Sequence, residues 1–168
     1  MIKKHTNSNG FTLVELMVTL SVLAILAGIA IPSVLAWMPS MYLKDSARDI
    51  KTSLIRARAF AINQGVEHRV MFDLPNNLYQ IDRGDLVSSS GSWSTVEGPH
   101  PLSNGIVFQA ASSQMETEGG KPFLRFSPSG GVVTNVDALV VTLANKKSET
   151  YSASVQRRTG HPQIFSGT

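Results

Sequence analysis

Gly10-Phe11-Thr12-Leu13-Val14-Glu15, and the apolar run that follows it to Leu43, decide how this chain is read. From Leu16 to Leu43 no residue is charged. A helix rises about 1.5 Å per residue, and about 20 apolar residues cross the hydrocarbon core of a bilayer. The run is therefore long enough to span a membrane and continue beyond it. Lys3, Lys4 and His5 precede it. Basic residues beside a spanning segment favour the cytoplasmic side. That orientation places the N-terminus inside and the bulk of the chain outside. An ordinary secretory signal puts its small-residue cleavage site after the apolar core. Here the small residue, Gly10, comes first, so a cut after it leaves the helix on the mature protein.

The carboxylate of Glu15 stands at the head of this segment. A carboxylate inside hydrocarbon costs several kcal/mol, and such residues usually face a partner. The spanning segment offers no basic partner of its own. The intermolecular candidate is the mature N-terminal amine of a neighbouring subunit, and pairing with it would offset the desolvation. The plainer reading places Glu15 at headgroup level, solvated.

A basic leader, Gly10, and then Phe11-Thr12-Leu13-Val14-Glu15-Leu16 resemble the class III signal of type IV pilins, pseudopilins and related filament subunits. The resemblance implies that a prepilin peptidase cuts between Gly10 and Phe11 and N-methylates Phe11. It implies that Glu15 serves filament assembly, and that Pro32 is the helix-kinking proline many members carry. Residues 1–10 are then a removable leader, residues 11–41 the transmembrane and assembly half of the helix, and residues 42–168 a periplasmic pilin-like domain. The implied location is the inner membrane as a single pass, N-terminus cytoplasmic, followed by entry into a pilus or pseudopilus. The implied partners are the peptidase and other pilin or pseudopilin subunits.

Composition narrows the rest. Without residues 1–10, which hold Lys3 and Lys4 and no acid, the 15 basic residues become 13 against 12 acids, and the formal charge falls from +3 to +1. A charge so near zero supplies no global attraction to nucleic acid or anionic lipid. The chain has no cysteine, which excludes disulfides, thiolate metal sites and cysteine nucleophiles. An exported domain without disulfides must be held by its core.

Residues 11–64 read as one long helix, with Pro32 and Pro39 as bends. From Lys44 it is amphipathic. Ala47, Ile50, Leu54, Ala57 and Ala61 form a stripe that should lie on a sheet. Gly65 is a stop signal. The period then changes from 3.6 to 2. Val66, His68, Val70 and Phe72 alternate with Glu67, Arg69, Met71 and Asp73, which predicts a half-buried strand. Asp73–Asn77 is turn chemistry and Leu78–Asp82 the returning strand. Residues 83–105, rich in Gly, Ser and Pro, are expected as a long surface loop. Strands are expected at 106–110, 123–126, 138–143 and 150–155, with a short one around Ile164 and Phe165. The fold class is α+β, a long N-terminal helix packed against an antiparallel sheet.

A second resemblance covers most of the chain. Leu54, Ala57, Arg58 and Ala61 match a Leu-x-x-Ala-Arg-x-x-Ala motif of the GspH/FimT-like minor subunits. Phe126-Ser127-Pro128-Ser129-Gly130 is similar to that family's Phe-x-Pro-x-Gly turn, and Val155–Gly160 to its closing strand and glycine. The family divides between minor pseudopilins near the tip of a type II secretion filament and minor pilins of type IV pili, some of which bind DNA in uptake. DNA-binding members carry Gly-Arg-x-Arg near the C-terminus. Here Gly160 is followed by His161, Pro162 and Gln163, and the arginines, Arg157 and Arg158, precede it.

Arg157, Arg158 and His161, with Lys146 and Lys147, are the candidates for a phosphate-binding patch; a solvated strand end and hairpin tip is the plainer reading. Arg58 is expected in a salt bridge to Asp49 or Glu67. Arg83-Gly84-Asp85 has the look of an adhesion tripeptide in a loop where coincidence suffices. Trp93 is either a binding aromatic or cover for the core edge. His5, His68, His100 and His161 have no ligand spacing, so neither a metal nor a cofactor is expected. No nucleophile–base pair or phosphate loop is visible. The reading is a non-enzymatic filament subunit.

Overall fold

The computed structural model describes residues 10–134 and 138–167. Most of the expected leader, residues 1–9, lies outside the described residues. Two compact units meet between Met38 and Pro39. Helix α1, Leu13–Gln64, contributes to both and is helical throughout, so neither Pro32 nor Pro39 ends it.

In the first unit every described residue from Gly10 to Trp37 is exposed, including Leu16, Leu23, Ile29 and Leu35. An apolar helix with no covering surface is the form a membrane or a helical partner completes.

The second unit is the α+β domain. Its part of α1 buries Ala47, Ile50, Leu54, Ala57 and Ala61, the stripe the spacing predicts, and Leu43 one turn before it. The alanines keep that face narrow, and the larger Leu and Ile side chains contribute about 1.5–3 kcal/mol each on burial. Gly65 closes the helix at φ +68°, a left-handed conformation that costs glycine little.

Among the described residues nine antiparallel strands follow, in two sheets rather than one. The strands are β1 (His68–Asp73), β2 (Leu78–Gly84), β3 (Trp93–Pro101), β4 (Ile106–Ala111), β5 (Glu116–Glu118), β6 (Lys121–Phe126), β7 (Ala138–Asn145), β8 (Thr150–Gln156) and β9 (Pro162–Gly167). One sheet runs β3-β2-β1-β6-β5 and the other β4-β7-β8-β9. Val70, Phe72, Ile81, Leu124 and Phe126 from the first share one core with Phe108, Val141, Leu143, Ala153 and Val155 from the second and with the helix stripe.

Three expectations need correction. Residues 83–105 are not a structureless loop, because nine of them form β3 along β2. Gly98 and Pro99 disguise it. An edge strand needs hydrogen bonds on one side only and tolerates proline, and register shifts at Tyr79/Ile81 and Ile81/Asp82 absorb the irregularity. Gly98, at φ +102°, lies where a Cβ would come within 3.1 Å of Gln80. Second, β1 is not half-buried. Glu67, Arg69 and Asp73, assigned to solvent by alternation, are all buried. The third concerns Arg58, which pairs with neither expected carboxylate; its Nε donates to the carbonyl of Gly130 at 2.9 Å.

The buried Arg69 organises the face of the five-stranded sheet turned away from α1. Its guanidinium lies between the rings of Trp93, 4.2 Å from the centroid, and Phe123, 4.8 Å away. Nε donates to Asp82 Oδ2 at 3.0 Å, and Nη1 pairs with Glu118. Asp82 Oδ1 also accepts from Gln80 and Thr95. Trp93 is thus cover for this face. Arg125 pairs with Glu116 at 3.0 Å and approaches Glu67 at 3.6 Å, and Lys121 pairs with Asp73 at 2.7 Å.

Candidate functional site

The helix head is built by Thr12. Its Oγ1 accepts the backbone N–H of Glu15 at 3.1 Å, and its carbonyl accepts that of Leu16 at 3.1 Å. Thr12 is therefore the N-cap, and Thr12-Leu13-Val14-Glu15 has the Thr-x-x-Glu form of a capping box. That signal was present in the sequence beside the more conspicuous run of apolar residues. Glu15 occupies the first turn, where the helix dipole favours a negative charge by about 0.3–1 kcal/mol. The head presents Gly10 and Phe11 in exposed, non-helical chain. Pro32 lies within the exposed part of α1.

At the other end of α1, three stretches distant in sequence meet. Ser127–Gly131 is a tight turn after β6, closed by Gly130 N–H to the Ser127 carbonyl at 2.9 Å and Ser127 N–H to the Gly131 carbonyl at 2.9 Å. The Gly130 carbonyl receives Arg58. Gly160, at φ +58°, packs onto it so tightly that a Cβ there would lie 2.1 Å from the Gly130 oxygen and 3.0 Å from Arg58 Nε. Val132 N–H donates to the Arg157 carbonyl at 3.1 Å. Arg58, the 126–130 turn and Gly160 are thus one lock joining helix, five-stranded sheet and C-terminal loop.

The basic candidates divide. Arg157, Arg158 and His161 are exposed in the short turn between β8 and β9. Lys146 and Lys147 sit at the β7–β8 hairpin tip, the far end of β8, about 20 Å away at 3.3 Å per residue. They form two sites and not one patch. Of Arg83-Gly84-Asp85, the last two are used internally, while Arg83 is exposed. Gly84 N–H donates to the Glu67 carbonyl at 2.7 Å, and Asp85 Oδ1 accepts from Gly91 and Ser92.

The helix side of β3 carries a titratable cluster hidden by the loop expectation. Arg56 pairs with Glu97 at 2.6 Å, and His100 Nε2 lies 3.4 Å from the same carboxylate. Burial, then the Asp45 charge, pushes the Asp49 carboxyl up, with His100 opposing. Burial likewise raises the Tyr79 phenol, against a hydrogen bond to Ser53. His68 lies wholly buried against Phe60, ring centroids 5.8 Å apart. Burial pushes its pKa below the ordinary 6.5, opposed by its contact with the Val66 carbonyl and reinforced by Arg83. Among the described residues no three His, Asp or Glu side chains converge as metal ligands.

Comparison with known proteins agrees with this geometry. Residues 5–31 match the prokaryotic N-terminal methylation motif. The type IV wide pilus major component PilA4 of Thermus thermophilus is 30% identical over 129 residues, covering 75% of this chain and 86% of that protein. The minor pseudopilin EpsH from the type 2 secretion system of Vibrio cholerae superposes with a TM-score of 0.55 at 15% identity, over 74% of this chain and 96% of the other. The type IV minor pilin FimU of Pseudomonas aeruginosa gives 0.50 at 16%, over 75% and 88%. At such identities the two structures show a shared fold.

Proposed function

This chain belongs to the type IV pilin-like family of filament subunits, and from that premise we propose that it is a minor subunit of a type II secretion pseudopilus or a type IV pilus, placed near the filament tip. Pilins and pseudopilins are structural subunits and not enzymes. The observation that carries the proposal is the exposed apolar length of α1 behind Gly10, Phe11 and the capped Glu15. The minor assignment draws support from the fold shared with EpsH and FimU and from the lock that joins three stretches resembling the GspH/FimT-like subunits.

In this reading the prepilin peptidase cuts between Gly10 and Phe11 and methylates the new amine. The chain waits in the inner membrane, N-terminus cytoplasmic and domain periplasmic. Assembly then moves α1 from lipid into the filament, where the Glu15 carboxylate meets the N-terminal amine of a neighbour. Glu15→Ala should preserve membrane insertion and cleavage and lose incorporation into filaments. Normal incorporation removes the assembly role. A bulky residue at Gly10 should leave a precursor heavier by the leader.

A second reading, a DNA-binding minor pilin acting in uptake, has one observation in its favour: Arg157, Arg158 and His161 share one exposed turn. A salt-sensitive gel shift by residues 41–168, lost on Arg157→Ala with Arg158→Ala, supports it; no shift removes it.

A further inference from the structure

The outer face of the four-stranded sheet contrasts with that of the five-stranded sheet. β4, β7, β8 and β9 contain no Asp, Glu, Lys or Arg. Leu139, Val141, Leu143, Ala153 and Val155 turn into the core. The alternating residues line the opposite face: Val107, Val140, Thr142, Ser152, Ser154 and Phe165, brought side by side by the pairing of Thr142 with Ser152, Val140 with Ser154 and Ser152 with Phe165. Val107 and Phe165 are exposed, at 44% and 47%, Val140, Thr142 and Ser154 are half-buried, and Ser152 at the centre is buried. Thr142 and Ser152 hydroxyls hydrogen-bond each other at 3.0 Å. Already paired, they cost less to remove from water than free hydroxyls would. Solvent-facing sheets ordinarily carry charge, which keeps them from associating.

The charge is gathered at the rim, Lys146 and Lys147 at one end and Arg157 and Arg158 at the other. Glu149 at the first end accepts from Ser40 at 2.7 Å and from Asn145, and Lys147 acts on it as well, so that end is less positive than its two lysines and the stronger positive charge lies at Arg157 and Arg158. An uncharged centre with a charged rim is the anatomy of a protein interface. Two such faces set against each other bring like charges together at the rim, which disfavours self-pairing. The face measures roughly 20 Å by 20 Å, or about 400 Å², at the usual strand spacing and rise. That is half of what one partner of a stable complex buries, about 800 Å². Its occupant must therefore be held alongside by another attachment that raises its effective concentration.

We propose that this face docks the globular domain of a different pilin-fold subunit in the same filament, one presenting an uncharged patch rimmed by carboxylates. The inference rests on the filament-subunit reading, because helices packed together in the filament supply the second attachment. The chain has no cysteine, so a single Ser154→Cys in the full-length chain, in its own cells, can carry a short photo-crosslinker, with Ser94→Cys on exposed β3 as the control. The expected result is an adduct, in the filament fraction, between the Ser154 position and a different pilin-fold subunit identified by mass spectrometry, and none from Ser94. Ser154→Lys should cut incorporation about tenfold, and Arg157→Glu with Arg158→Glu should lower the adduct yield. Absence of the wild-type chain from the filament fraction overturns the subunit reading and this inference with it. Presence of the chain with no Ser154 adduct, an equal adduct from Ser94, or an adduct only to a second copy or a non-pilin protein overturns the docking face alone.

Discussion

The two sheets share one core and differ on the sides turned away from it. The five-stranded sheet carries Arg69, Asp73, Asp82, Glu116, Glu118, Lys121 and Arg125 on that side. Most of these are paired across strands, and Arg69 and Asp82 have left solvent, with side chains 5% and 3% exposed. The four-stranded sheet carries none. On the first, the chain has completed a second, polar core from its own side chains, and the ion pairs serve stability and register. On the second, the outer face is left plain, with hydroxyls satisfied among themselves. A protein that spends all its charged strand residues on one sheet leaves the other as its associating face.

That contrast can be broken by mutation, beginning with Arg69. Arg69→Ala strands the Asp82 carboxylate in a buried site, and losing one partner of a buried pair costs about 3–5 kcal/mol. A large drop in the thermal unfolding midpoint of the full-length chain in detergent is expected, and Arg69→Met combined with Asp82→Leu should recover most of it. A shift as small as that of an exposed arginine would show that the charged face is ordinary surface.

Gly160→Ala tests the joint between the two sheets. The added methyl meets the Gly130 oxygen at an impossible distance and the left-handed backbone is strained as well. A loss above about 2 kcal/mol is expected by the same unfolding measurement.

His68 supplies a pH test on the inner side of the charged sheet. Its folded pKa is depressed, so below pH about 6.5 the unfolded chain takes up the proton first. Stability is therefore present above that pH and lost as pH falls through it. The Asp73 and Glu149 carboxyls, lowered by hydrogen bonds from Lys121 and Asn76 and from Ser40 and Asn145, contribute stability that is lost only further down, below pH about 4.5. Unfolding midpoints between pH 7 and 5 should decline in the wild type and flatten in His68→Phe.

The smallest effect belongs to the plain sheet. Ser154 is half-buried on that face, and Ser154→Lys, whose long stem can carry the charge to solvent, should cost no more than about 1 kcal/mol. A loss comparable to Arg69→Ala would mean that the plain face is already covered within the domain.

Some of this was legible in one dimension. The long apolar helix was, because the charge-free run Leu16–Leu43 is a local property of the sequence. The stripe Ala47–Ala61 was, because helical periodicity alone decides which side is apolar. At the candidate site, Gly10, Phe11 and Glu15 were legible as a contiguous motif, and the capping role of Thr12 was available from its spacing to Glu15.

Other features existed only in three dimensions. β3 lacks alternation because an edge strand takes its order from β2. The burial of Arg69 runs against its own polarity, and what permits it is a set of residues from four other strands: Asp82, Trp93, Glu118 and Phe123. Arg58, Gly130 and Gly160 read as separate fragments until folding set a guanidinium and a glycine on the same carbonyl. The basic residues Lys146, Lys147, Arg157 and Arg158 are near in sequence, yet the length of β8 holds them apart. The sequence by itself determined the long apolar helix, its N-terminal methylation motif and the side of the helix that packs, since periodicity and local chemistry carry those. Only the tertiary structure decided which charges are buried and which sheet is left uncovered, because both depend on strand partners brought together across the chain.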